Sequence, residues 1–325
     1  MEWLMKTITL AFAFLMAAIT LPSFGDKEMT LNVEPQTEYV YKTIGQRQLV
    51  MLMDYPPDWK ITDNRAAIVF FFGGGWVKGT PAQFASQARY FADRGIVCAR
   101  ADYRLRTKDN VTIADCVEDA ISAMRWMRGH AQGLGVNPNC IAAAGGSAGG
   151  HLAACTFFVE SISAPTDDLT ISPKPNALIL YNPVLDLTHL PGVAAQRASA
   201  ATTQGAEHGY TSGMDQQMIE TVSPLLHANR QLPPTLIIDG SNDEFNGQIR
   251  AFIEKEKKLG VNVEAEFYEG QPHGFFNKEP YQTQTTKRAE QFLRRLGYVP
   301  KPAASKPASA AASAPSSQSA SAPAE

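Results

Sequence analysis

The chain has 325 residues, 44% of them hydrophobic, enough apolar material for one large core or two modest ones. A formal net charge of −3 provides no basic footprint, which excludes nucleic acid as the expected partner. No run of like charges marks an interaction tail.

In chain order, the first predicted element is a signal peptide over residues 1–25. Lys6 precedes an apolar run from Ile8 to Leu21, and the small residues Ser23 and Gly25 suit cleavage after Gly25. The run is shorter than the roughly 20 residues needed to cross a bilayer, so no stable membrane span is expected. A secreted or periplasmic location follows from this reading. No cysteine comes next to carry a lipid.

The catalytic domain is predicted over residues 36–299. "EYVYKTIGQRQLVMLMDYPP" reads as two strands about a turn at Gly45, and "AAIVFFFGGG" as a continuous apolar strand that ends in glycines from Gly73. "PAQFASQARYFADRG" carries Pro81 near its start and Gly95 at its end, the punctuation of a helix. "GIVCARADYRL" is a strand, and "TIADCVEDAISAMRWMRGHA" a long amphipathic helix. "NCIAAAGG" is a strand leading to Ser147, and "AGGHLAACTFFVE" the helix after it. Strands "NALILYNPVLDL" and "PTLIIDGSND" follow, then helix "GQIRAFIEKEKKLG", strand "VNVEAEFYEG" and a last helix "YQTQTTKRAEQFLRRLG".

Such alternation predicts an α/β fold, a mostly parallel central sheet flanked by helices on both faces. Ligands in such sheets bind at the carboxyl ends of the strands. Residues 188–234 break the alternation and read as a small cap insertion over the site. Residues 300–325 read as a disordered tail, since 21 of the last 25 residues are Ala, Ser or Pro and have nothing to bury. Cys98, Cys116, Cys140 and Cys155 each fall within a predicted strand or helix at spacings that match no zinc pattern, so buried free thiols are expected.

The chemistry centres on "GGSAG". Its pattern G-x-S-x-G, with a strand before and a helix after, is that of a nucleophile elbow, which lifts the Ser147 hydroxyl above the sheet. The same turn aims the Ala148 amide and the helix dipole at a developing oxyanion. A free serine hydroxyl is a poor nucleophile and needs a base. Of the six histidines, His130 closes a helix, His151 lies inside one, and His189, His208 and His227 fall in or beside the cap. His273 alone follows the last strand, in a loop marked by Pro272 and Gly274. The orienting acid of such a site lies between the serine and the histidine in sequence. Asp243 does so at a strand end, with one helix and one strand before His273; Asp239 is still within the strand, Glu244 is worse placed by register, and Asp186 is the fallback. Gly74 and Gly75, after an earlier strand, are the remaining oxyanion donors.

"FGGGW", "DYRL", "GGSAGGHLA", "GSND" and "PHGF", in that order between about Tyr39 and Leu296, resemble the α/β-hydrolase esterases, near the acetyl esterase and hormone-sensitive-lipase-like branch. The resemblance implies hydrolysis of carboxylic esters without metal or cofactor, with Ser147, Asp243 and His273 as triad and Gly74, Gly75 and Ala148 as oxyanion hole. "DYRL" is structural in such relatives. This chain departs from them twice: Phe72 stands where the glycine loop usually opens on histidine, and Gly146 where many relatives have aspartate. The N-terminal segment is also too short for their helical cap, which favours the compact bacterial esterases. The expected substrate is a short-chain acyl ester, as a small molecule or on a carbohydrate. Rival readings are a serine peptidase or amidase, an arylformamidase, or a non-catalytic binding protein on the same fold. The oligomeric state is open.

Overall fold

The run Ala66–Phe71 has no polar residue to give to solvent, so a strand built from it must be covered on both faces. Strand β3 (Arg65–Phe71) is that strand. In the computed structural model, which describes residues 37–190 and 209–300, Ala67, Val69 and Phe71 enter one apolar cluster and Ala66, Ile68 and Phe70 another. The period of two is thus read out as two separate cores.

The sheet has eight strands in the order β1-β2-β4-β3-β5-β6-β7-β8. β1 (Glu38–Ile44) and β2 (Arg47–Asp54) form a hairpin about Gly45, whose φ of +57° suits glycine. β2 runs antiparallel to β4 (Val97–Ala101). From there β3, β5 (Val136–Gly146), β6 (Ala177–Tyr181), β7 (Thr235–Gly240) and β8 (Glu264–Tyr268) pair in parallel. The mostly parallel sheet flanked by helices is therefore observed.

Helices α3 (Ile113–Gly129), α4 (Ala148–Phe158) and α6 (Asn246–Lys258) supply residues to one cluster, and α1 (Ala85–Ala92) and α7 (Tyr281–Arg295) to the other. α3 starts at a capping box in which Thr112 and Asp115 satisfy each other's backbone amides. Its residues Ile113, Cys116, Val117, Ala120, Ile121, Met124 and Met127 are fully buried at helical spacing.

Several predicted elements are shorter than expected. The strand through "DYRL" stops at Ala101, because Tyr103 and Arg104 leave the sheet for buried hydrogen bonds with Phe72 and Asp119. A one-turn helix, α2 (Arg106–Asp109), follows. The strand through "YNPVLDL" stops at Tyr181, where Asn182 takes a φ of +43° and Pro183 has no amide to continue the ladder. The helix predicted from Pro81 opens with a 3-10 turn, Pro81–Phe84, capped by Thr80.

Of the segment 188–234, residues 191–208 lie outside the described residues, as do the predicted signal peptide and the tail beyond Pro300. The described remainder carries α5 (Gln216–Thr221), and its Ile219, Val222 and Leu232 join the larger core. The four cysteines are free thiols; Cys98, Cys116 and Cys155 are buried and Cys140 partly so.

Candidate active site

Ser147 stands between β5 and α4 with φ 56° and ψ −121°, a backbone combination a serine adopts only under constraint. Three contacts supply that constraint. The Ser147 amide donates to Tyr181 O at 2.8 Å, the His151 amide donates to Ser147 O at 3.0 Å, and neighbouring glycines let backbones meet. A Cβ on Gly145 would strike Gly149 O, and one on Gly149 would strike Phe71 O. A Cβ on Gly146 would run into the Phe276 ring, which accounts for glycine where many relatives carry aspartate.

His273 reaches this hydroxyl from the loop after β8. Its Nε2 accepts from Ser147 Oγ at 2.7 Å, and its Nδ1 donates to Asp243 Oδ2 at 2.7 Å. Asp243 is buried in the loop after β7, where Oδ1 accepts the Phe245 amide at 2.7 Å and Oδ2 also accepts Asn182 Nδ2 at 2.7 Å. The acid and histidine loops are tied to each other as well: the Asn242 amide donates to Gln271 O, and the Gly270 amide to Ser241 Oγ. Three side chains distant in sequence thus meet at the carboxyl ends of β5, β7 and β8.

Asp239, in β7, belongs to the same buried network without touching His273. Its Oδ1 accepts from Asn182 Nδ2 at 2.6 Å and its Oδ2 from Asn246 Nδ2 at 2.8 Å. Burial, and then the nearby charge of Asp243, push its carboxyl up to about 6. Asp186 is engaged with Thr188 and His189 instead, and Glu244 lines the cleft without joining the chain of hydrogen bonds to His273.

The cleft over Ser147 has a volume of about 480 Å³. Gly73, Gly74, Gly75 and Trp76 form one wall, with Val184, Leu190, Tyr210, Phe245 and His273 around it. Gly74 takes a φ of +124°, and a Cβ there would fall 2.0 Å from Lys78 O, so that position is open only to glycine; Gly75 and Trp76 follow in the left-handed region at +65° and +60°. The amides of Gly74, Gly75 and Ala148 donate to no acceptor among the described residues. Phe72, in place of histidine, stacks on Tyr103 with ring centroids 4.1 Å apart, and Tyr103 Oη donates to Phe72 O at 2.8 Å. The tyrosine of "DYRL" therefore holds the root of the glycine loop.

The other described histidines are occupied elsewhere. His130 stacks on Trp126, His189 faces Asp186, and His227 meets Glu220 O; His208 lies outside the described residues. His151 is fully buried, its Nε2 donating to Val222 O at 2.7 Å, and burial pulls its imidazole down to about 4. An unfolded histidine takes up its proton near pH 6.5, whereas this folded one does not until about pH 4. Its contribution to stability is therefore present above pH 6.5 and lost as pH falls towards 4, approaching roughly 3 kcal/mol. Asp239 titrates over an overlapping window with the opposite sign, since its folded carboxyl lies above its unfolded value. The test is thus a difference between two proteins. His151→Gln, which keeps a donor for Val222, should lose less in melting temperature between pH 7.5 and 4.5 than the parent; parallel losses would reject the assignment.

A model of the alpha/beta hydrolase fold family matches residues 68–277. The chain belongs to the α/β-hydrolase family. Proteins named as esterases and lipases are among those it is similar to. Esterase 2 of Thermogutta terrifontis, solved with propionate bound, is 43% identical, covers 82% of this chain and 96% of its own, and superposes with a TM-score of 0.72. The same enzyme phosphonylated by sarin matches at 42% identity over 82% of this chain and 98% of its own, with a TM-score of 0.73. Lipase 2 of a Moraxella species is 28% identical over 67% of this chain and 56% of its own. The chain spans about half the length of the curated relatives it matches first.

Sequence reasoning did not single out Asn182, whose amide braces the acid, or Gln83, whose side chain accepts the Gly73 amide at 2.6 Å. Asn182 carried a signal in standing before a proline at a strand end, since Asn-Pro favours a turn and asparagine tolerates the left-handed region that its φ of +43° occupies. Gln83 carried none, being one polar residue on an amphipathic segment.

Proposed function

We propose that the protein is a serine carboxylic ester hydrolase that works through an acyl-enzyme on short acyl esters. The observation that carries this reading is the unbroken hydrogen-bond chain from Ser147 Oγ through His273 to Asp243. His273 Nε2 takes the hydroxyl proton as Ser147 Oγ bonds to the ester carbonyl carbon, and the carbonyl oxygen becomes an anion. The amides of Gly74, Gly75 and Ala148, which donate to no acceptor among the described residues, receive that charge. Collapse breaks the bond to the alcohol, which leaves with the proton from His273. Water then repeats the attack, His273 again taking the proton, and the acid departs. Asp243 holds the imidazole tautomer and stabilises the imidazolium.

Two features support a short acyl group on a polar alcohol. The cleft is small, with apolar Trp76, Val184, Leu190 and Phe245 beside polar Lys78, Gln83, Glu244 and Asn277. The similar esterase of Thermogutta terrifontis has been solved with propionate and with butyrate. Acetylated sugars therefore stand among the candidate substrates, and the lysine and apolar run at the N-terminus support an exported enzyme that meets them outside the cytoplasm.

A fluorophosphonate probe should label the protein at Ser147, as mass spectrometry of the digested adduct would report. Activity on 4-nitrophenyl esters should peak between acetyl and butyryl. Absence of labelling would reject the hydrolase reading; a rate that climbs steadily to octanoyl would reject the short acyl group alone.

A further inference from the structure

The glycine loop lacks the imidazole of its relatives, yet its amide at Gly73 is held. Gly73 N–H donates to Gln83 Oε1 at 2.6 Å, and Gln83 Nε2 donates onward to Asn277 Oδ1 at 3.1 Å. Asn277 Nδ2 then donates to the carbonyl of Gly274, the residue after His273, at 3.1 Å. One neutral side chain therefore bridges the loop that offers the oxyanion amides and the loop that carries the base. We propose that Gln83 is a positioning residue that locks these two loops into a common geometry around Ser147. The proposal rests on the hydrolase reading of the site.

The chemistry asks for glutamine. The bridge needs an acceptor at one end and a donor at the other, which an amide provides and a carboxylate does not. A glutamate here would also bring negative charge towards a developing oxyanion. The base of the bridge is firm: Gln83 lies in the turn Pro81–Phe84, and Phe84 is buried against Phe70, Tyr181 and Phe276. The loop it restrains needs restraint, because Gly74 and Gly75 sit at positive φ and glycine has many other conformations open to it. Gly73 itself lies against the elbow, where an added Cβ would fall 2.7 Å from Gly146 O and 3.2 Å from Ser147 Cβ. A displacement of about 1 Å in such a loop costs on the order of 10²-fold in rate.

Gln83 also lines the cleft, so a direct contact with the substrate's alcohol is the competing role. Gln83→Met removes both hydrogen bonds at similar volume, and Asn277→Leu, at an exposed position, cuts only the far end without threatening the fold. Both are compared with the parent on 4-nitrophenyl acetate and on methyl acetate, and for inhibition by a trifluoromethyl ketone, whose serine adduct carries the oxyanion. Gln83→Met should lower kcat about 10- to 10²-fold for both alcohols alike, with KM little changed, and weaken the ketone by the same factor. Asn277→Leu should fall in the same direction, and the double variant should be no worse than Gln83→Met. An unchanged kcat and ketone affinity in both single variants would overturn the proposal, and so would a KM rise confined to one alcohol. Fluorophosphonate labelling of the parent tests the hydrolase reading separately: labelling with unaffected variants rejects only the bridge.

Discussion

Replacing Ser147 or His273 by alanine is expected to lower kcat on a small activated ester by about 10⁴- to 10⁶-fold. The size follows from how few atoms do the work. Among the described residues, Ser147 Oγ is the only hydroxyl bonded to His273, and His273 is the only imidazole that joins a serine hydroxyl to a buried carboxylate. Neither substitution should unfold the protein, because the elbow is held by backbone contacts to Tyr181 and His151 that alanine keeps. The melting temperature should therefore stay near that of the parent. The two changes act on one unit, so the double variant should lose little more than either single one. Steady-state rates on 4-nitrophenyl acetate check this, and full activity in either single variant would refute the assignment.

The residues of that unit could be named before any coordinates because the elbow writes itself into the sequence. Gly145, Gly146 and Gly149 are glycines for reasons of contact, since added Cβ atoms would meet Gly149 O, Phe276 and Phe71 O. A segment that must be glycine at fixed spacing is visible as a pattern; a segment that must be only polar is not. Gln83 and Asn182 fall in the second class, being ordinary amides whose roles arise from partners far along the chain. The same contrast governs the fold. Strands buried on both faces, such as Ala66–Phe71, announce themselves by unbroken apolar runs, and the order of strands and helices is legible from them. Where a strand ends depends on what the next residues bond to. Tyr103 and Arg104 look like more strand until Phe72 and Asp119 are in place to receive them.

Asp119 is the residue around which that departure from the sheet turns, and Asp119→Ala is expected to destabilise the protein by about 3–5 kcal/mol. The carboxylate is fully buried on α3. Oδ1 accepts from Lys42 Nζ at 2.7 Å and Arg104 Nη2 at 2.9 Å; Oδ2 accepts from the Arg104 amide at 3.0 Å and Nε at 2.8 Å. Lys42 from β1 and Arg104 from beyond β4 are themselves more than nine-tenths buried, so alanine at 119 leaves two cations with only Glu118 and Asp115 near the surface to face. Calorimetry should register a fall in melting temperature of roughly 10 °C. The cost measures the loss of one partner, so a triple change to apolar residues, Lys42→Met, Arg104→Met and Asp119→Leu, should recover much of it. The same change bears on the site through Tyr103, which neighbours Arg104 and supports Phe72 at the root of the glycine loop. If Asp119→Ala leaves the melting temperature unchanged, the buried network is no more than a geometric coincidence, and Tyr103 must be held by its ring packing and its hydrogen bond to Phe72 O without help from Arg104.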